Sequence, residues 1–280
     1  MKLARTSPDP GPVEIVVSHN TNWLPLKRIP GYAEVSRIAD LVEGGDLRAL
    51  AEAVERHGDD LPPVGFDPAT SSPVADRAAD IWGAGLNYLR HSEDLAAQQP
   101  TSGPGSYLRP GGCLIGNKDH IELPDQSERV TAEAELGLVI GTACKNVKRD
   151  EWRSVVAGVT CVLDMTAEDA IRENPRHIPW AKGFDTFCSV GPVLVTLDEF
   201  PDGFDAVRIS TVLNGETVAS ATPAAMKYGL GHLVEYFTAG RVLAPGTVLC
   251  TGTPGAAVIN PGDTVQSVVE GVGTLTHPVR

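Results

Sequence analysis

The sequence predicts an α+β chain that is mostly β, with a small N-terminal α/β domain and linker over residues 1–75 and a larger β-rich domain over residues 76–280. Three observations predict it. The 29 glycines and 22 prolines are spread without a period, which implies many turns and hence short strands. After about residue 76, short apolar segments recur at the spacing of strands. Between the two regions, Asp59–Pro73 carries Pro62, Pro63, Pro68 and Pro73 among Gly, Ser and Thr, the composition of a linker. With 42% hydrophobic and 21% charged residues, a 280-residue chain buries a sizeable core, which excludes disorder. No apolar run approaches the roughly 18 residues that span a bilayer.

In the N-terminal region Val13–Val17 reads as a short strand. Leu47, Leu50, Ala51 and Val54 repeat at i, i+3, i+4, i+7, which predicts an amphipathic helix with Asp46 as N-cap and Gly58 just beyond its end. Arg56 and His57 suit the negative end of its dipole. Further strands are expected at Ile81–Leu86, Ala134–Gly141, Val155–Leu163, Pro192–Thr196, Val207–Asn214, Thr247–Thr251 and Thr264–Val269. Asn214-Gly215 predicts a type I′ hairpin, because both central positions of that turn need positive φ. A helix is expected from about Pro223 to Phe237, with Met226, Leu230, Leu233 and Val234 on one face. Pro245-Gly246 and Pro261-Gly262 read as turns that enter strands.

A net charge of −13 repels phosphate backbones and excludes nucleic acid as a natural partner. The five cysteines, Cys113, Cys144, Cys161, Cys188 and Cys250, are odd in number and lack C-x-x-C spacing. Several lie in apolar runs, so buried, reduced thiols in a cytoplasmic protein are expected rather than disulfides or zinc. Met1–Pro12 has basic residues without a following hydrophobic stretch, so no secretion signal is expected.

Four stretches carry residue types suited to chemistry. In Glu133-Ala134-Glu135 strand alternation puts both glutamates on one face, which is either a solvated strand face or, because Leu136–Ile140 is nearly all apolar, part of a segment destined for the interior. Adjacent buried carboxylates need a compensating cation. Asp164 ends an apolar run and is either the N-cap of a following helix with Thr166, Glu168 and Asp169, or a third oxygen ligand beside the glutamates. Such a ligand set suits Mg²⁺, Mn²⁺ or Ca²⁺ rather than zinc. Lys182, within Trp180–Phe187, is either a snorkelling surface residue or the ammonium that brings three carboxylates and a divalent ion to neutrality. His91 and Asp94 are three apart and would share a helix face, where the carboxylate orients the ring for use as a general base; a solvated helix start is the other reading.

The order of motifs over residues 80–280 resembles the fumarylacetoacetate hydrolase family. The likeness rests on Gly85-Leu86-Asn87-Tyr88 with His91, Tyr107-Leu108-Arg109-Pro110, Leu114-Ile115-Gly116, Glu133-Ala134-Glu135-Leu136, Asp164, Lys182-Gly183-Phe184-Asp185-Thr186, Gly191-Pro192, Asn214-Gly215-Glu216 and Thr251–Gly255. The resemblance implies a mixed β-roll or sandwich catalytic domain, a homodimer, and Mg²⁺ or a similar ion held by Glu133, Glu135 and Asp164. It also implies that Lys182 holds a developing enolate and that His91 with Asp94 activates water. Arg109 and Thr253 would touch the oxygens of a small carboxylate substrate. The implied function is metal-dependent hydrolytic C–C cleavage in a 2-oxo or 1,3-dicarbonyl acid, in a catabolic role. The same enolate chemistry also serves decarboxylases, hydratases and double-bond isomerases, and a non-catalytic member is the remaining alternative. The chain departs from the family pattern at Glu168, where arginine is usual, and at Asp94, where glutamate is usual.

Overall fold

A computed structural model describes the chain except for residues 7–12, 44–46, 90–91, 93–98 and 100. The N-terminal region supplies β1 (Lys2–Thr6), β2 (Glu14–His19), β3 (Asn22–Pro25), α1 (Ile38–Glu43), α2 (Leu47–His57) and β4 (Ser71–Ser72). Then follow β5 (Ile81–Gly85), β6 (Gly105–Arg109), β7 (Leu114–Ile115), β8 (Val130–Ile140), β9 (Val156–Ala167), α3 (Glu168–Glu173), α4 (Ile178–Ala181) and β10 (Cys188–Thr196). The chain ends with β11 (Ile209–Leu213), β12 (Glu216–Ala221), α5 (Leu230–Thr238), β13 (Val248–Cys250), β14 (Ala256–Ile259), β15 (Thr264–Val269) and β16 (Gly273–Pro278). The α+β, mostly β expectation holds.

Twelve strands form one sheet in the order β3-β2-β1-β10-β9-β8-β13-β5-β6, with β4, β7 and β14 pairing off that path. A second sheet, β12-β11-β15-β16, packs against β8, β9 and β10. Every residue of β8 and β9 is buried, which explains why their sequences are almost continuously apolar rather than alternating. The N-terminal strands are part of the same sheet, since β1 runs antiparallel to β10 with Leu3 opposite Leu194. Leu3, Ala4, Val16 and Val17 have no exposed surface there.

α2 spans Leu47–His57 and buries Leu50 and Val54, the stripe its periodicity implies, while the expected Asp46 cap lies outside the described residues. Asn214 and Gly215 adopt φ of 52° and 87°, as the I′ turn between β11 and β12 requires. All five cysteines are free and buried. No helix among the described residues is long and apolar enough to cross a membrane.

Two expectations are corrected. The helix expected from Pro223 begins only at Leu230, after a short 3₁₀ turn over Pro223–Ala225. The intervening backbone is claimed by Asn87, whose side chain accepts from the Tyr228 amide at 2.9 Å and donates to its carbonyl at 3.0 Å. Asp164 is not a helix cap: β9 continues through Ala167, and α3 starts at Glu168.

Candidate active site

That continuation of β9 builds the site. Asp164 sits directly opposite Glu133 in the antiparallel register, and the strand period then puts Thr131, Glu133 and Glu135 on one face with Asp164 and Thr166. A carboxylate oxygen from each of Glu133, Glu135 and Asp164 lies within 4.8 Å of the others, and all three residues are buried. Glu135 accepts from the Gly252 amide at 2.8 Å. Gly252 has φ +93°, and a Cβ there would lie 2.8 Å from Asn87 Cβ, so the Thr251–Gly255 turn needs glycine to bring that amide to the carboxylate.

Three donors converge on Asp164. Lys182 Nζ donates to Oδ1 at 2.8 Å and to Thr166 Oγ1 at 2.7 Å, and lies 3.7 Å from Glu133. The Tyr107 hydroxyl and the Arg109 guanidinium also bond Asp164. Tyr107 reaches it across Gly83, its cross-strand partner, where a side chain would collide with the ring. Burial works against ionisation of Asp164, but Arg109 and Lys182 hold its carboxyl below the usual range. Burial works to lower the Lys182 pKa; Asp164 and Glu133 outweigh it and raise it above the usual lysine value. Burial, with Asp164 and Glu133 nearby, pushes Glu135 well above the usual carboxyl range. Burial, Asp164 and Glu135 likewise keep Tyr107 neutral.

The triad opens into a cavity of about 380 Å³. Glu133, Glu135, Thr166 and Lys182 line its polar end, with Thr131 and Thr253. Thr253 donates its hydroxyl to the Gly255 carbonyl at 3.0 Å. Arg109 is placed differently from the expectation of substrate contact. Its side chain has no exposed surface and does not line the cavity; it is held by Asp164, the Lys182 carbonyl and the Phe187 carbonyl, the last at 2.7 Å. A guanidinium carries five donors in a rigid fork, and here that fork ties Asp164 to the backbone behind the site. His91 and Asp94 lie outside the described residues.

Glu168, the charge reversal noted in the sequence, is not a bare anion. Arg129 Nε and Arg172 Nε each donate to it at 2.7 Å. Tyr107 and Thr166 are participants that sequence reasoning missed. Thr166 was legible in principle as the residue two beyond Asp164 once the strand was extended, whereas Tyr107 is brought in only by the pairing of β5 with β6.

All-oxygen ligands at this spacing fit a hard divalent ion. A model of the fumarylacetoacetate hydrolase C-terminal domain matches residues 80–280. The chain belongs to the fumarylacetoacetate hydrolase family, whose members here are hydrolases, isomerases and tautomerases. It is 31% identical to the maleylpyruvate hydrolase of Aquipseudomonas alcaligenes, over 90% of this chain and 87% of that protein. It is 30% identical to the mitochondrial oxaloacetate tautomerase Fahd2a of Rattus norvegicus, over 86% of this chain and 79% of that protein. The structure of maleylpyruvate hydrolase from Sphingobium sp. SYK-6 in complex with manganese(II) and pyruvate superposes with a TM-score of 0.82 at 25% identity, covering 100% of this chain and 98% of that one.

Proposed function

We propose that the chain is a divalent-metal-dependent hydrolase that cleaves a C–C bond in a small 2-oxo or 1,3-dicarbonyl acid of the acylpyruvate type. The observation that carries this reading is the buried Glu133–Glu135–Asp164 cluster beside the Lys182 ammonium at the polar end of a cavity. The Sphingobium relative that holds manganese and pyruvate supports it. An ion held by the three carboxylates, Mg²⁺ or Mn²⁺ in this reading, would supply Lewis-acid stabilisation of negative charge on substrate oxygens.

The chain's own residues supply the rest. Lys182 presents a fixed positive charge to an enolate oxygen in a site shielded from water. Tyr107 and Arg109 orient the Asp164 carboxylate, and the Gly252 amide orients that of Glu135. Three ionised carboxylates, one divalent ion, Lys182 and Arg109 leave one net positive charge, which complements the single carboxylate of an acylpyruvate. In the hydrolysis, water adds to the acyl carbonyl and the bond between that carbon and the adjacent methylene breaks. The electron pair passes to the pyruvate enolate, which a proton then converts to pyruvate, leaving a carboxylic acid as the second product. His91, with Asp94, is the base that takes the water's proton in this reading.

The test is loss of acetylpyruvate with Mg²⁺ or Mn²⁺ present. Glu133→Gln is expected to lower the rate at least a hundredfold, and a fully active variant would remove the assignment. The tautomerase relative favours a second reading, enolate chemistry without hydrolysis. His91→Ala separates the two: it suppresses hydrolysis if the first is right and leaves oxaloacetate keto–enol conversion intact if the second is.

A further inference from the structure

Beyond its charged end the cavity changes character. On the β5–β6 side Ala84, Gly85 and Gly105 contribute little side chain, Gly85 and Gly105 being cross-strand partners, and Leu86 adds an apolar one. Ile171 and Ile178, half-buried and apolar, form the part of the wall contributed by α3 and α4. Arg172 lines the same wall, but its guanidinium is already bonded to Glu168, and the Glu168 carboxylate also faces the cavity. A terminal carboxylate would therefore meet a carboxylate and a guanidinium that is already engaged. A hydrocarbon chain would meet Leu86, Ile171 and Ile178.

We propose that this slot between Gly85–Gly105 and Ile171–Ile178 selects substrates with a neutral hydrocarbon acyl tail, and discriminates against acyl tails that end in a carboxylate. The inference rests on the reading that the polar end holds the 2-oxo acid head, and it names the tail that reading leaves open. Ile171 is then a specificity-determining residue. Each methylene that enters the slot adds about fourfold to affinity, up to the length at which the chain leaves the isoleucines.

The test uses oxamate, an unreactive mimic of the 2-oxo acid head, with its N-propyl, N-pentyl and N-(4-carboxybutyl) derivatives. Binding to the full chain with Mn²⁺ is measured by calorimetry. The expected result is that oxamate binds, the N-pentyl compound binds at least tenfold tighter, and the carboxylate-tailed compound binds more weakly than the N-pentyl one. Ile171→Thr, which keeps the β-branched shape, should shrink the N-pentyl to oxamate ratio at least threefold. Oxamate binding with no gain from the tail would overturn the inference and leave the proposed function standing. A preference for the carboxylate tail would also overturn it and make Arg172 the reading residue. Failure of every compound to bind would overturn both.

Discussion

Three donors converge on Asp164, and its removal does two things at once. It deletes a ligand, and it strands the Arg109 guanidinium and the Lys182 ammonium in the interior. Breaking a buried ion pair from one side costs about 3–5 kcal/mol, so Asp164→Ala is expected to lose that much stability in urea unfolding as well as metal binding. Glu133→Gln deletes a ligand oxygen while leaving Asp164 with all its donors. It should therefore lose metal affinity with a stability change of about 1 kcal/mol or less. Glu135 adds a pH dependence. Its pKa is raised by burial and by Asp164 and Glu133, so below that pKa it carries a proton that must leave before the oxygen can coordinate. Mn²⁺ affinity should therefore rise with pH, by up to tenfold per unit, and calorimetry in two buffers of different ionisation enthalpy should show proton release on binding. No proton release at pH 7 would mean that Glu135 is already ionised.

Elements are matched to one another at the same level of detail. β5 and β6 fit only because Gly83 leaves room for the Tyr107 ring, with a Cβ at that position falling 1.9 Å from the ring carbon Cζ. Gly83→Ala should cost about 1–3 kcal/mol through overpacking, and should displace the Tyr107 hydroxyl from Asp164; a crystal structure of the variant would show it. On β16, His277 is fully buried; its Nδ1 lies 2.9 Å from the Asp119 carbonyl, and its Nε2 has no partner among the described residues. Burial pulls its pKa down from 6.5 to about 4. Between those values the unfolded chain binds the proton and the folded chain does not. Stability is thus complete above pH 6.5 and is lost as pH falls toward 4, by about 3 kcal/mol in total. His277→Asn keeps a donor near Nδ1 and should flatten the part of the stability profile between pH 4.5 and 7. A profile identical to that of the parent would show that this histidine does not titrate as described.

At the scale of the whole molecule, β1 borders β10, and β10 borders β9, which carries Asp164. Strands from the first 75 residues therefore lie two positions away from the ligand strand in one hydrogen-bonded sheet. A chain lacking residues 1–75 would expose the edge of β10 and uncover Leu194, which is otherwise fully buried. Exposed apolar strand edges promote aggregation, so the truncated chain is expected to be insoluble, and the full chain to unfold in a single transition. A soluble, metal-binding fragment of residues 76–280 would show that the N-terminal strands are dispensable.

Much of the site was legible because its grammar is local. Glu133 and Glu135 share a face by strand period alone, and the Asn214-Gly215 turn follows from the φ its two residues tolerate. The order of short motifs carried the family, and with it Asp164 and Lys182. What could not be read were relations across the sheet. Whether Asp164 caps a helix or faces Glu133 depends on where β9 stops, and β9 runs on past Asp164 because β8 pairs with it as far as Ala167. Arg109 faces inward to Asp164 rather than into the cavity because the strand that ends with it delivers the guanidinium to Asp164 and to backbone carbonyls behind the cavity. Glu168 was visible as a reversed charge, but its neutralisation by Arg129, 39 residues earlier, was not. By itself the sequence determined the fold class, the acidic pair and the turn chemistry, since each is set by residues within a few positions of one another. The tertiary structure decided which donors hold Asp164, which walls enclose the cavity and which strands support it, because those contacts join residues that only the sheet brings together.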